Sequence, residues 1–282
     1  MDTTYYYQVC AKTGGGESFK SGSIKTKGKT IADNVELGAY IRMTPTSTSY
    51  TIPASLTGYT SNQTINPSEL NLWRVIKKNE DGTIDVVSEC VSSTPVYFSG
   101  KTGYINFVKG LNTIAAQYTN DKYVSSTRHM GYSNQTETIT NTSKLNQTTP
   151  PWTRHTSLQW INCDPSLYLC GTDESLGAGD IGYEADYNLV NGAYGSMIAK
   201  TPSGITTPYW LASRRFHYIS NSDWNWSVRF VNTAGDLYSN WAFTSSRGNY
   251  DCKYAIRPIL TLNSTAEIDS GDGTLDNFYK LS

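Results

Sequence analysis

Histidine is scarce in this chain. Its 282 residues hold three, His129, His155 and His217, none close to another in sequence. The five cysteines, Cys10, Cys90, Cys163, Cys170 and Cys252, form no Cys-x-x-Cys and no Cys/His spacing. A zinc-type cluster therefore has no ligand set to draw on. An excess of charge of one sign is missing as well: 23 Lys and Arg stand against 24 Asp and Glu, a net charge of −1. That balance leaves no electrostatic footprint for nucleic acid or for an anionic membrane surface. No apolar run approaches the roughly 20 residues of a membrane span, so no membrane insertion is expected. The opening MDTTYYYQVC lacks the pattern of a signal peptide and reads as the middle of a longer polypeptide, with any export signal outside it. There is no Ser-His-Asp order, nucleophile elbow, phosphate loop or metal-binding helix. The expectation is no catalytic residue, no metal and no cofactor.

What is present is enough apolar material for a core, 38% of the chain, and a concentration of aromatic residues near the C-terminal end. Between Arg214 and Tyr254 stand ten Phe, Trp or Tyr, about twice the density of the whole chain at 12%. The rest of that segment is Ser, Asn, Asp, Thr, Arg and Gly for the most part. Glu, Gln and Met are absent, and Lys253 is its one lysine. Rigid rings among short polar side chains give contact area at low entropic cost, with adaptable hydrogen bonding around it. The segment reads as a recognition surface.

Along the chain, residues 3–11 and 19–27 read as two strands about the turn Thr13-Gly14-Gly15-Gly16-Glu17. They resemble the last two strands of a fibronectin type III or immunoglobulin-like module, which sets a first unit at 1–28. A lone hairpin is marginal in water, so this piece is expected to pack on the main domain or to lack order. The main domain follows at 29–265. Its first strand is Leu37–Met43. Residues 44–68, rich in Thr, Ser and Pro, read as a long surface connection. Leu72–Lys78 and Thr83–Glu89 form a hairpin about Asp81-Gly82. Gly103–Tyr118 has helical spacing of apolar residues, with Gly110 as a point of close packing. Residues 133–150 read as a surface loop, and Tyr183–Met197 as a second helix. Strands follow at 209–213, 227–231, 236–243 and 255–262. Residues 266–282 read as a polar tail. Trp73 and Trp210 are expected in the core. Arg257 is expected to pin a loop. Trp224 and Trp226 are expected to share one fate, both buried or both exposed.

The motifs Gly38-Ala39-Tyr40-Ile41, Leu72-Trp73-Arg74-Val75, Gly103-Tyr104, Val228-Arg229 and, above all, Tyr209-Trp210-Leu211-Ala212-Ser213-Arg214 with Arg257-Pro258-Ile259-Leu260-Thr261-Leu262 carry a resemblance. Over roughly residues 35–262 the chain resembles C-type lectin-like domains of the formylglycine-generating-enzyme branch, found as variable proteins in gut bacteria and their phages. The resemblance implies an α+β fold of short, mostly antiparallel strands with one or two helices. It also implies that 214–254 is the variable region of a diversity-generating retroelement, randomised at template adenines. Asparagine codons changed at adenine cannot yield Glu, Gln, Lys, Met or Trp, in keeping with the composition, although Trp224, Trp226 and Trp241 must then have another source. The ligand-binding residues implied are Phe216, His217, Tyr218, Asn221, Asp223, Trp224, Tyr238, Asn240, Trp241, Phe243, Asn249, Tyr250, Asp251 and Tyr254. The partner implied is a protein or glycan on another cell or particle. The place implied is extracellular, on a cell surface or a phage virion, with oligomerisation left open.

Two other readings stay beside this one. One is an undiversified adhesin or carbohydrate-binding module of the same fold. The other is an oxidase related to the formylglycine-generating enzyme, which needs two adjacent reactive thiols where the segment has Cys252 alone. Cys163 and Cys170, with Pro165 between them, are either a local disulfide or free buried thiols. The acidic residues Asp173, Glu174, Asp180, Glu184 and Asp186 are either a solvated loop or a calcium site.

Overall fold

A computed structural model gives the structure of residues 4–25, 28–128, 207–220, 223–244 and 246–282; at 13, 25, 108, 125–128, 213–220, 223, 224 and 237 it describes the backbone alone. The expected loop at 133–150, the second helix at 183–197, the acidic cluster at 173–186, Cys163, Cys170 and Asn221 lie outside the described residues.

The chain opens with the hairpin of β1 (Thr4–Thr13) and β2 (Gly16–Lys25). There follow α1 (Ile31–Asn34), β3 (Tyr40–Arg42), β4 (Tyr50–Ile52), α2 (Ala54–Thr57), β5 (Gln63–Ile65), β6 (Leu72–Lys78), β7 (Ile84–Ser88), β8 (Val96–Ser99), α3 (Gly100–Ala115) and β9 (Val124–Arg128). The second described stretch holds β10 (Tyr209–Ser220), β11 (Asp223–Val231), β12 (Leu237–Thr244), β13 (Gly248–Asn249), β14 (Asp251–Tyr254), β15 (Ile259–Leu262), β16 (Ile268–Ser270) and β17 (Tyr279–Leu281). The architecture is mixed α+β, strands in mostly antiparallel sheets with few helices. A seven-stranded sheet has the order β16-β17-β3-β6-β7-β15-β9, and a four-stranded sheet the order β10-β11-β12-β13. Only the β17–β3 pair in them is parallel.

The β6–β7 hairpin forms as its turn chemistry dictates. Gly82 takes φ +80, and Asp81 Oδ1 accepts from the Thr83 amide at 3.0 Å and hydroxyl at 2.6 Å. Those bonds hold the Asp81 carboxyl below its ordinary range. Trp73 and Val75 on β6 are fully buried, and Trp73 Nε1 donates to the Met43 carbonyl at 3.0 Å. The helix starts three residues earlier than its apolar spacing indicates. Tyr104, Phe107, Leu111, Ile114 and, in a following 3-10 turn, Tyr118 are all buried, on the stripe the spacing predicts. α3 lies against β8 and against the β10–β12 strands.

Three expectations are corrected. Residues 44–68 are not a surface connection: β4, α2 and β5 bury Ile52, Thr57 and Ile65. Few apolar residues, widely spaced in a Thr/Ser/Pro background, leave no periodicity to read. Residues 266–282 are not a tail. β16 and β17 join the large sheet, and β17 lies between β16 and β3. The glycines that suggest a tail belong instead to its turn. Gly271 and Gly273 take φ +96 and +82, and a Cβ on Gly271 would collide with the Phe278 carbonyl. Nor does the β1–β2 hairpin lie on the main domain. It pairs in register from Thr4–Lys25 to Thr13–Gly16, yet Tyr5, Tyr7, Val9, Phe19 and Ile24 are exposed and Tyr6 is 85% so.

A buried charge cluster ties β6, β7 and β10 to the Arg257-Pro258 segment. Glu89 lies 3.9 Å from Arg74 Nε, and both are largely buried. Arg257, also buried, donates from Nε to the Ser88 carbonyl at 3.0 Å and from Nη1 to the Tyr209 hydroxyl at 3.4 Å. It is the loop pin expected of it. Burial lifts the Glu89 carboxyl above its ordinary range, while Arg74 and Arg257 pull it back. Burial pushes the Tyr209 hydroxyl up to about 12 against the pull of Arg257.

Arg257→Ala strips the cluster of a charge and leaves Glu89 less compensated. It is expected to lower the unfolding free energy by about 3–5 kcal/mol in urea melts. Because folded Glu89 holds its proton to higher pH than unfolded Glu89, its contribution to stability is greatest at acid pH. That contribution falls as pH climbs from the ordinary glutamate value through the folded one. Glu89→Gln should flatten this part of the stability–pH curve; an unchanged slope would assign it to other groups. Gly110 marks the expected close contact, since a Cβ there would lie 2.9 Å from the buried Phe98 ring. Gly110→Ala gains helix propensity of about 1 kcal/mol but must displace that ring at a cost of about 1–3 kcal/mol. The melting temperature is expected to fall.

Candidate recognition face

The segment 214–254 runs through β10, β11, β12, β13 and β14. Its hairpins are set by short turns. Between β11 and β12, Asn232 Oδ1 accepts from the amides of Ala234 and Asp236, both at 2.9 Å, and Gly235 takes φ +87. β11 is buried from Asn225 to Val231, on both of its faces. It is the fixed centre on which the flanking strands are carried.

The inner face is built of rings. Trp226 stacks on Phe243 with centroids 4.8 Å apart and lies 5.7 Å from Tyr104 of α3. Phe230 stacks on Tyr254 at 4.0 Å, and Tyr254 meets Trp210 edge to face at 4.6 Å. Trp210 in turn packs edge to face on Phe98 and Phe107, and its Nε1 donates to the Val96 carbonyl at 3.1 Å. Trp210 is core, as its motif indicates. Trp226 is buried; the Trp224 side chain, expected to share its fate, is not among those described.

The candidate residues whose side chains are described do not form one patch. Phe216, His217 and Tyr218 lie on β10 with their backbones opposite Trp226, Asn225 and Trp224, and Asp223 and Trp224 open β11; their side chains are not described. Tyr238 is 51% exposed and lies beside Phe230 at 6.1 Å. Asn240, half-buried, donates from Nδ2 to the Tyr254 hydroxyl at 2.9 Å. These three, with Phe230 beneath, are brought together. Burial, the larger influence, holds the Tyr254 hydroxyl above the usual tyrosine range, and the Asn240 bond opposes it. Trp241 is 46% exposed and meets Tyr250 edge to face at 6.0 Å. A bulge at Ala242 separates the two sets: Phe243 pairs with Trp226, Ala242 has no partner on β11 (its carbonyl accepts from the Tyr250 amide at 2.9 Å), and Trp241 pairs with Ser227. Trp241 and Phe243, two apart, thus take opposite faces. Phe243 is half-buried against Trp226 and contributes an edge rather than a displayed ring. Asp251 is exposed on β14. By alternation it shares a face with Lys253, which sits over the Tyr97 ring at 5.0 Å; Tyr97 stacks on Tyr59 at 4.2 Å.

Asn249 is exposed and its carboxamide lies against Gly100, at the start of α3. Here Phe243 and Asn249 line a cavity of about 310 Å³ with Gly58, Ser99, Gly100, Lys101, Thr102 and Gly248. The residues from α2, β8 and α3 are ones the sequence reading misses. The signal was a Ser-Gly-Lys-Thr run at a strand-to-helix junction, hidden by placing the helix start at Gly103. Lys101 Nζ lies 5.1 Å from the Phe243 centroid and 5.7 Å from that of Trp226.

Cys252, the thiol of interest for redox chemistry, is buried and donates to the Trp241 carbonyl at 3.1 Å. Burial, with the charge of Asp251 adding to it, pushes its thiol up to about 12. A thiol so placed is protonated at neutral pH and shielded from solvent. Among the described residues no group of three or more His, Cys, Asp or Glu could hold a metal ion. No protein-family model, no curated protein and no solved structure matches the chain.

Two measurements check this geometry. Native-state alkylation at pH 8 is expected to label Cys10 and Cys90, both exposed, and to spare the Cys252 peptide until the protein unfolds. Tyr254→Phe removes the Asn240 acceptor while keeping the stacked ring, so a loss of about 1 kcal/mol is expected in denaturant titration.

Proposed function

We propose that this chain is a target-capturing protein on a C-type lectin-like frame. Its 214–254 segment is the diversified surface of a diversity-generating retroelement product. The target is a protein or glycan on another cell or particle, met outside the cell of origin, on a cell surface or a phage virion. The observation that carries the reading is the placement of Tyr238 and Trp241. Both are exposed on β12, next to a strand buried on both faces: Tyr238 lies beside Phe230, which stacks on Tyr254, and Trp241, on the opposite face, meets Tyr250. Large rings held out on a rigid backing lose little entropy on contact, and aromatic anchors of this kind dominate binding energy. Asn240 and Asn249 supply adaptable hydrogen bonding at their sides. The mixed, mostly antiparallel sheets with few helices are compatible with the proposed frame. The protonated, buried Cys252 weighs against the oxidase reading.

The decisive test is at the gene. A near-identical template repeat and a reverse-transcriptase gene are expected downstream, with mismatches between the copies falling on template adenines within codons 214–254. A locus without such a repeat overturns diversification and leaves the undiversified adhesin. Display itself is tested by Tyr238→Ala with Trp241→Ala. Adhesion to the target cell should drop by about 10-fold or more, the cost of one or two anchors, while the melting curve stays in place.

A further inference from the structure

The cavity at the start of α3 carries more than a general recognition face requires. Three independent features converge on it. The first is a cation. Lys101 lies over the Phe243 and Trp226 rings, and among the described residues no carboxylate comes within ion-pairing distance of its ammonium. The second is the N-terminus of a 16-residue helix, whose dipole and first-turn amides, apart from that of Gly100, which donates to the Tyr250 carbonyl at 3.2 Å, favour negative charge. The third is Ser99. It lines the cavity and is only 8% exposed, yet its hydroxyl makes no hydrogen bond, although it occupies the N-cap position where such a bond is usual.

The remaining walls are of another kind. Phe243 offers a ring and Asn249 a carboxamide. The floor is kept open by glycine. Gly100 takes φ +56, and a Cβ there would run into the Asn249 carboxamide. A Cβ on Gly58 would meet the Ser99 carbonyl and the Gly103 amide. At about 310 Å³ the space stands at the small end of ligand pockets, roughly 300–1,000 Å³. It suits a single sugar-sized ring better than a length of polypeptide.

We propose that this cavity is a subsite for an acidic sugar of the target. The sugar's oxyanion (a carboxylate, or a sulfate or phosphate substituent) sits at Lys101, Ser99 and the first turn of α3. Its ring lies between Phe243 and Asn249. The inference rests on the reading of 214–254 as a capture surface and narrows the target to a charged glycan. It also gives a fixed residue outside the segment, Lys101, a share in binding.

Titration of the full chain with glucuronic acid, glucose 6-sulfate, glucose 6-phosphate and neutral glucose at low ionic strength tests it, read by calorimetry or by amide shifts of residues 99–102. At least one acidic sugar is expected to bind roughly tenfold more tightly than glucose, the scale of one charge-assisted hydrogen bond, and the tightest names the oxyanion. Added salt should erode the preference. Lys101→Met, which keeps the stem over the rings, should abolish it, and Lys101→Arg should retain most of it. Glucose binding as well as the acidic sugars overturns the proposal, as does a preference that survives in Lys101→Met. An aspartate-rich peptide that shifts residues 99–102 when no sugar does overturns it in favour of a protein target. Tyr238→Ala with Trp241→Ala should leave the small-sugar preference intact while weakening adhesion. Failure of the subsite is therefore separable from failure of the capture reading.

Discussion

Trp210 is the joint of this molecule. Its indole touches Phe107 of α3, Phe98 of β8 and Tyr254 of β14, and its N–H is satisfied by the Val96 carbonyl. One side chain thereby fixes a helix, two strands of a separate two-stranded sheet and the first strand of the four-stranded sheet relative to one another. Edge-to-face contacts have angular preferences that aliphatic packing lacks. The cluster therefore specifies orientation as well as burial. From Tyr254 the contact passes through Phe230 to Tyr238, which reaches solvent. From Tyr104 it passes through Trp226 to Phe243, at the edge of the cavity. Rings displayed outside are continuous with rings that hold the core.

This continuity explains why the aromatic segment divides as it does. A residue such as Phe243 or Tyr254 is neither core nor surface. One face stacks on a buried ring and the other bounds a concavity or supports an exposed neighbour. Variation at such positions would alter both stability and recognition, whereas variation at Tyr238, Trp241 or Asp251 would alter mainly the surface. The buried Glu89–Arg74–Arg257–Tyr209 group plays a similar fixing part on the other side of β10, where it anchors the segment that follows β14.

Much of the frame was legible in the sequence because its signals are local. Asp81-Gly82 set the β6–β7 hairpin, the stripe from Tyr104 to Ile114 set the helix, and Trp73, Trp210 and Arg257 lay in motifs whose apolar neighbours announced burial. What could not be read depended on distant pairing. β4, α2 and β5 have too few apolar residues to show a period, and β17 owes its existence to a parallel place beside β3, more than 230 residues earlier in the chain. The candidate site suffered the same limit. Composition marked Tyr238, Asn240, Trp241 and Asn249 as polar or aromatic groups in the proposed display segment. Nothing in it could indicate that Phe243 and Asn249 would meet Lys101 and Ser99.

Ala242, unmatched on β11, has an effect out of proportion to its size. A regular strand sends every second side chain the same way, so the odd-numbered rings of β12 would all have faced together. One residue without a partner on β11 shifts the phase midway. Trp241 turns to solvent while Phe243 turns to the core, and the strand offers groups to both sides of the sheet within three positions. A phase shift of this kind decouples what a position displays from its parity, so that the inward anchor of the strand can be kept constant while its outward companions change.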